Sequence, residues 1–293
     1  MSGPSAGGER GSLARLDTEL TRRGLARSRT AAARLIESGL VSVNGVIASK
    51  TGIRVASSDH LAVAGGDDYV SRAAHKLVAG LDAVPALDPT GRVALDVGAS
   101  TGGFTQVLLA RGARHVIALD VGHDQLAPAV RGDTRVTNLE GVNARFVDAP
   151  QLDELLAAAA SPVRSVDIDL VVGDLSFISL TKVIAPIMAM APGIVDAVLL
   201  IKPQFEVGRT GVKGGIVHDR RLVAPAIERV LVEAASCGLE LVSLRPSPIV
   251  GTHGNSEFVA VFRTSASSSP AEADRLEALR RAIVEAEELE ADR

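Results

Sequence analysis

The stretch from Val93 to Asp120, VALDVGASTGGFTQVLLARGARHVIALD, leaves this chain few folds to choose from. It opens on an apolar run, Val93 to Val97, short enough for a strand buried on both faces, and breaks at the small-residue loop Gly98-Ala99-Ser100-Thr101-Gly102-Gly103. Phe104, Val107, Leu108 and Arg111 then recur at helical spacing, Gly112 supplies a stop, and His115 to Leu119 reads as a second buried strand ending in Asp120. A strand, helix, strand unit of this kind predicts an α/β fold with a Rossmann-like sheet. Glycines let loop backbone approach a ligand closely, and an acid about 20 positions on can hydrogen-bond two ribose hydroxyls, so the unit reads as a nucleoside-cofactor site.

The spacing bears on which nucleoside. A dinucleotide rests its pyrophosphate on a helix N-terminus behind G-x-G-x-x-G, whereas Gly98, Gly102 and Gly103 give G-x-x-x-G-G. Asp96, two positions before the first glycine, disfavours a phosphate and favours a cationic ligand such as S-adenosylmethionine (SAM), with its ammonium and sulfonium. The expected SAM contacts are therefore Asp96, the loop from Gly98 to Gly103, and Asp120. A tight turn in a cofactor-free α/β protein is the alternative reading of the same glycines.

With 293 residues the chain accommodates one large domain and a small one. Only 2% of it is aromatic and Trp is absent, so its core is built of Ala, Val, Leu and Ile, and base stacking is not its main binding device. The single Cys237 excludes an intramolecular disulfide and a multi-cysteine zinc site; no metal site is expected. Without a signal-like apolar segment at its start, the chain reads as a cytoplasmic monomer. The longest apolar stretch, Val183 to Ile201, is interrupted by Pro186, Pro192, Gly193 and Asp196 and reads as helix, turn and strand, with no membrane partner.

The net charge of −4 hides an asymmetry, since residues 1–60 carry nine Lys and Arg against five Asp and Glu. After a Gly- and Ser-rich lead expected to be disordered (1–11), Leu13, Leu16 and Leu20 mark one short helix ended by Gly24. Ser28 caps a second helix carrying Ala32, Leu35, Ile36 and Leu40, and Asn44-Gly45 turns a hairpin. Arg22, Arg23, Arg27, Arg29 and Arg34 cluster on these helices and their junction as candidate RNA contacts, with Lys50 and Arg54 behind the hairpin. The pattern RLDTELTRRGLARSRTAAARLIESGLVSVNG resembles the small RNA-binding module of a small-subunit ribosomal protein, tyrosyl-tRNA synthetases and pseudouridine synthases. Such a module implies grip through phosphates and shape, in keeping with arginines and no aromatics.

Past a linker at 67–70, Ser71 is positioned to cap a helix bearing Lys76. Val136 and Phe146-Val147-Asp148 are candidates for the next strand, with Asp148 placed to accept from an adenine amino group, to cap the helix that follows, or to do both. Strands at Ile168 to Val172 and Val198 to Ile201 deliver Asp174 and Lys202 at their ends, and Leu239 to Leu244 and Glu257 to Arg263 close the sheet. Asp96, Asp174 and Lys202 thus converge on the rim where open α/β sheets place ligands.

With Lys76 and Glu257, the chain offers Lys, Asp, Lys and Glu in sequence order. SRAAHKL, LDVGASTGGFT, VVGDLSF and LLIKPQFE resemble the FtsJ-like ribose 2′-O-methyltransferases, and Arg15 to Arg263 is similar to the hemolysin-A-like (TlyA) rRNA 2′-O-methyltransferases. The resemblance implies a SAM-dependent methyltransferase domain at 71–264 behind an RNA-binding module at 12–66, with a charged tail at 265–293 outside it. It further implies Lys76, Asp174, Lys202 and Glu257 as the catalytic group, Asp174 also beside the cofactor, and a cytidine ribose in rRNA as the target, in 16S and 23S rRNA or in 23S alone. Ribosomal RNA or a ribosomal subunit is the implied partner. The chain departs from the family in its linker, Asp67-Asp68-Tyr69-Val70, where relatives tend to carry an arginine and a tryptophan. Phe177 and Phe205, each three residues past a rim residue, either stack on a flipped target base or pack under the loops. A SAM-binding assembly factor without activity and a membrane-active protein are the competing functions; the four rim residues oppose the first, and the lack of a long apolar segment opposes the second.

Overall fold

The computed structural model describes residues 13–23, 25–26, 28–63, 69–208, 211–251 and 254–265, and positions 277, 280, 281, 283, 284 and 288. The expected disorder of 1–11, the stop at Gly24, Arg27, and Asp67 and Asp68 of the linker lie outside the described residues. The chain divides into two compact units, 1–68 and 69–293.

The first unit contains β1 (Ala14–Arg15), α1 (Leu16–Arg22), α2 (Arg29–Glu37), β2 (Val41–Val43), β3 (Val46–Ile47), β4 (Arg54–Val55) and β5 (Leu61–Val63). Ser28 caps α2 by accepting from the Ala31 N–H, as its side chain suggested. Between β2 and β3, Asn44 (φ 52°) and Gly45 (φ 83°) both adopt positive φ, the tight hairpin turn that this pair favours. Leu16, Leu20, Ala32, Ile36, Val41 and Val55 form the core. Leu13 stays 56% exposed, so the apolar stripe begins at Leu16.

The second unit is built from α3 (Ala74–Ala83), β6 (Val93–Val97), α4 (Gly103–Ala110), β7 (His115–Asp120), α5 (Pro128–Arg131), β8 (Val136–Glu140), α6 (Ala149–Ala158), β9 (Leu170–Gly173), α7 (Ile184–Met190), β10 (Asp196–Ile201), α8 (Pro203–Glu206), α9 (Val223–Ser236), β11 (Leu239–Pro246) and β12 (Phe258–Thr264). The seven-stranded sheet runs β11-β12-β10-β9-β6-β7-β8. Strands β8, β7, β6, β9 and β10 are parallel, while β12 is antiparallel to both its neighbours. The inner parallel strands β6, β7, β9 and β10 bury side chains on both faces: Leu95, Ile117, Val171 and Leu199 pack with α6, α7 and α9, and Ala94, Val116, Val172 and Val198 with α3 and α4. The chain leaves β6 toward one edge and returns at β9 to build toward the other. That reversal opens a crevice beyond the C-terminal ends of β6 and β9.

Two elements differ from the sequence expectation. No strand forms at Phe146-Val147-Asp148: Ala144–Phe146 is a 3₁₀ turn that leaves Phe146 69% exposed, and β8 ends at Glu140 because its carboxylate folds back to accept from the N–H groups of Asp124, Gln125 and Leu126. Helix α3 begins at Ala74 rather than after Ser71, whose Oγ instead accepts from Ala73 N at 3.2 Å.

Candidate active site

The glycine loop spans the end of β6 and the start of α4. Gly102 caps α4 at φ +92°, a region closed to most side chains. A Cβ on Gly103 would meet Ser71 Cβ at 3.0 Å and Ala74 N at 3.2 Å, so its bareness lets the approach to α3 press against the loop, and Lys76 follows. Asp120 closes the loop from the other side: Oδ2 accepts from Ser100 N at 2.8 Å and Oδ1 from Gly122 N at 2.7 Å. Each oxygen keeps lone-pair capacity toward the cleft.

The cleft encloses about 790 Å³, within the usual ~300–1,000 Å³ range of small-molecule sites. Gly98, Ala99, Ser100, Thr101, Gly103, Asp120 and Asp174 line it. Gly102 does not: its α-carbon faces Leu126 and Val130 beneath the loop. Asp96 does not line it either. Within β6 it is 1% exposed, its Oδ2 accepts from Thr105 Oγ1 at 2.6 Å, and its Oδ1 has no partner. Burial, only partly opposed by the Thr105 bond, pushes its pKa up to about 7, so Asp96 is no open carboxylate awaiting a cation. Asp148 is exposed and lies away from the cleft, its carboxylate closing a capping box with Gln151 at the start of α6. Past β8 the cleft is instead lined by Val142, Asn143 and Ala144. Asn143 turns its carbonyl oxygen to Arg145 N at 3.1 Å, which leaves its amide group as a polar feature of that wall.

At the floor, four charges meet. Lys76 Nζ lies 3.0 Å from Asp174 Oδ2 and 2.6 Å from Glu257 Oε2, and Lys202 Nζ lies 2.8 Å from Asp174 Oδ1 and 2.8 Å from Ser176 Oγ. All four sequence-predicted rim residues therefore come together, with Asp174 as the bridge. Burial works against the charge on Lys76, but the Asp174 and Glu257 carboxylates outweigh it and hold the ammonium above the usual lysine range. Burial likewise opposes ionisation of Asp174, and Lys202 and Lys76 overcome it, so its carboxyl titrates below the usual range. Lys202 has one carboxylate neighbour fewer than Lys76, and a neutral hydroxyl stands in that place.

Phe177 and Phe205 flank the mouth with ring centroids 5.5 Å apart. Phe177 holds φ +64°, uncommon for a bulky residue, and its side chain is 93% exposed. Sequence reasoning missed Asn143, Ser176, Gln204 and Asn255, all of which line the cleft. Of these Ser176 and Gln204 carried a signal, each lying two residues past a rim residue, Asp174 and Lys202.

In the first unit the arginines divide. Arg23 is occupied by its own fold: Nε donates to Glu19 Oε1 at 2.7 Å, and its terminal nitrogens donate to the carbonyls of Asp59, Ala56 and Ser57. Arg22 pairs with Glu19 at 2.6 Å and Arg29 with Asp17 at 3.5 Å, both with largely exposed side chains. Arg34 is exposed and has no ion-pair partner among the described residues.

A mostly parallel sheet with a glycine loop, an acid at the end of the next strand and two buried lysines on one rim fits an enzyme that uses a nucleoside cofactor. The family model of FtsJ-like methyltransferases matches residues 69–264, and that of the S4 domain matches 14–61. The chain belongs to the FtsJ-like methyltransferases, and its cofactor is SAM, which the cleft, the loop and Asp120 fit. More narrowly, it is 45% identical over 275 residues to the 16S/23S rRNA (cytidine-2′-O)-methyltransferase TlyA of Mycobacterium tuberculosis, spanning 93% of this chain and 98% of that one. It is 36% identical over 249 residues to Hemolysin A of Brachyspira hyodysenteriae, spanning 85% and 99%. A solved hemolysin structure from Streptococcus thermophilus superposes with a TM-score of 0.66 at 33% identity, covering 95% of this chain and 98% of that one. Among the described residues, no helix is long and apolar enough to cross a membrane.

Proposed function

We propose that this chain methylates the ribose 2′-hydroxyl of cytidine in rRNA, in both 16S and 23S rRNA, acting on ribosomal RNA or subunits in the cytoplasm. The observation that carries the reading is the Lys76, Asp174, Lys202 and Glu257 group on the floor of the cleft that the glycine loop roofs. The 45% identity to an enzyme named for cytidine in 16S and 23S rRNA supports the choice of nucleotide and of the two rRNAs.

Bound SAM supplies the electrophilic methyl group. The loop from Gly98 to Gly103 and Asp120 bind its nucleoside. A ribose hydroxyl is a poor nucleophile, so it has to be held in line and relieved of its proton as the new bond forms. Lys202 contacts that oxygen and, in its neutral amine form, takes the proton to become the ammonium; Ser176 Oγ, on the exposed side of the loop, is the next group along. Lys76, held charged by two carboxylates, fixes Asp174, which in turn aims Lys202. Phe177, projecting on a left-handed backbone, stacks on the extruded base with Phe205 behind it. The first unit adds affinity through phosphates, from Arg22, Arg29 and Arg34.

Primer extension across rRNA, with and without this protein, tests the reading. Reverse-transcription stops at a cytidine in each rRNA are expected only with the protein and SAM. A stop in 23S rRNA alone would narrow the substrate, and no stop in either would overturn the function.

A further inference from the structure

A second cavity, of about 590 Å³, adjoins the catalytic cleft and shares Arg145, Phe177, Ile178, Gln204 and Phe205 with it. It is large enough for a nucleobase. Gln204 stands where the two meet, two residues past Lys202 on α8. Its Oε1 is buried and has no hydrogen-bond partner. An acceptor shielded from water and left unpaired is destabilising, and an arriving donor relieves that cost.

The rest of the wall is already satisfied or of the opposite kind. Arg145 and Lys182 offer only donors. Ser179 Oγ is engaged by both Thr181 and Glu206. Among the described side chains of the second cavity, Gln204 Oε1 is thus the acceptor left over, and Phe177 and Phe205 supply apolar surface in the same lining. Cytosine presents an exocyclic amino donor at the position where uracil presents a carbonyl oxygen.

We propose that Gln204 is the residue that selects the target base, its side-chain oxygen accepting from the exocyclic amino group of cytosine in the second cavity. The proposal rests on the rRNA cytidine reading above and names the atom that would make the choice. A pyrimidine that lacks the amino group would leave Gln204 Oε1 without a donor. Sites built to hydrogen-bond a substrate group reject the analogue lacking it far better than apolar pockets do.

The test uses the full chain, SAM and a synthetic rRNA fragment bearing the cytidine that primer extension identifies, beside the same fragment with a pyrimidin-2-one riboside, which lacks only the amino group. Wild type is expected to favour cytidine roughly 10- to 100-fold in kcat/KM. Gln204→Leu should bring that ratio to within about threefold by slowing cytidine alone, and Gln204→Glu, which keeps an acceptor, should retain it. SAM affinity by calorimetry reports folding of each variant. A Gln204→Leu ratio equal to wild type, or a wild type indifferent to the amino group, would overturn the proposal while leaving the methyltransferase reading intact. Wild type that methylates no rRNA cytidine would overturn both.

Discussion

The two ends of the central sheet carry the same inventory, two cations and two carboxylates, and use it for opposite purposes. At the C-terminal rim Lys76, Asp174, Lys202 and Glu257 surround a cavity. At the opposite rim Arg92 pairs with Asp169 at 3.1 Å and Asp196 at 2.7 Å, and Arg263 pairs with Asp196 at 2.7 Å. The same strands serve both: Asp169 precedes β9 and Asp174 follows it, Asp196 opens β10 and Lys202 follows it, and β12 runs from beside Glu257 to Arg263. What differs is the cation. A guanidinium is a rigid fork that never loses its proton in this setting, and it welds strand ends together. An ammonium is a point charge whose protonation neighbours can tune, and it is useful where a hydroxyl has to be deprotonated. On the function proposed above one rim is structure and the other chemistry, and the comparison can be broken from either side.

The largest effect on stability is expected at the arginine rim. Asp196→Ala takes from Arg92 and Arg263 the buried carboxylate they share, leaving Arg92 with Asp169, and should cost roughly 3 kcal/mol in urea unfolding, the low end for breaking a buried pair because Arg92 keeps a partner and Arg263 is partly exposed. Activity per folded molecule should survive. A loss below about 1 kcal/mol would mean that this rim is not the staple described here.

A few kcal/mol are at issue at Asp96, beneath the catalytic rim. Its native pKa of about 7 stands above the ordinary 3.8, so the unfolded chain ionises first. Between about pH 4 and 7 the native state holds the extra proton, and Asp96 lowers stability progressively as pH rises, levelling off above 7. Asp96→Asn should remove that slope, so variant minus wild-type stability grows across this window and then stays constant. A difference independent of pH would place an ionised Asp96 in the native state.

The smallest effect separates arginines in the first unit by the same rule of paired against unpaired charge. Arg34→Glu should weaken rRNA binding and reduce its salt slope by about 0.7 to 0.9 for each phosphate that is no longer neutralised. Arg23→Glu should instead destabilise the unit, since it removes four hydrogen bonds within it. Equal salt slopes for Arg34→Glu and wild type would assign Arg34 to solvent.

These contrasts also mark how far the sequence could be read. Strands Val93–Val97 and His115–Asp120 and the residues after β9 and β10 were legible because a parallel strand buried on both faces is a short apolar run, and whatever polar residue follows it must reach the ligand rim. Asp96 was misplaced because it lies inside such a run, where side chains turn into the layers and Thr105 meets it. Asp148 and Arg23 were ambiguous for another reason: the residue type that suits a ligand also suits a helix cap, which Asp148 forms, or a carbonyl clamp, which Arg23 forms, and only the course of the backbone decides. Gln204 and Asn255 could not be found by periodicity, since they reach the cleft from loops and from a four-residue helix. Nor did charge patterning show the arginine rim, whose members are separated by up to 171 positions between Arg92 and Arg263.

The central claim, that the upper rim is reactive because its cation can exchange a proton, is tested most directly by Lys202→Arg. Single-turnover methyl transfer from labelled SAM to isolated ribosomal subunits would be measured beside wild type, with SAM affinity as the control for folding. The expected result is a loss of roughly 10²- to 10⁴-fold in rate, the usual worth of a positioned acid or base, at unchanged SAM affinity. Transfer within tenfold of wild type would show that a fixed positive charge suffices and would contradict the claim.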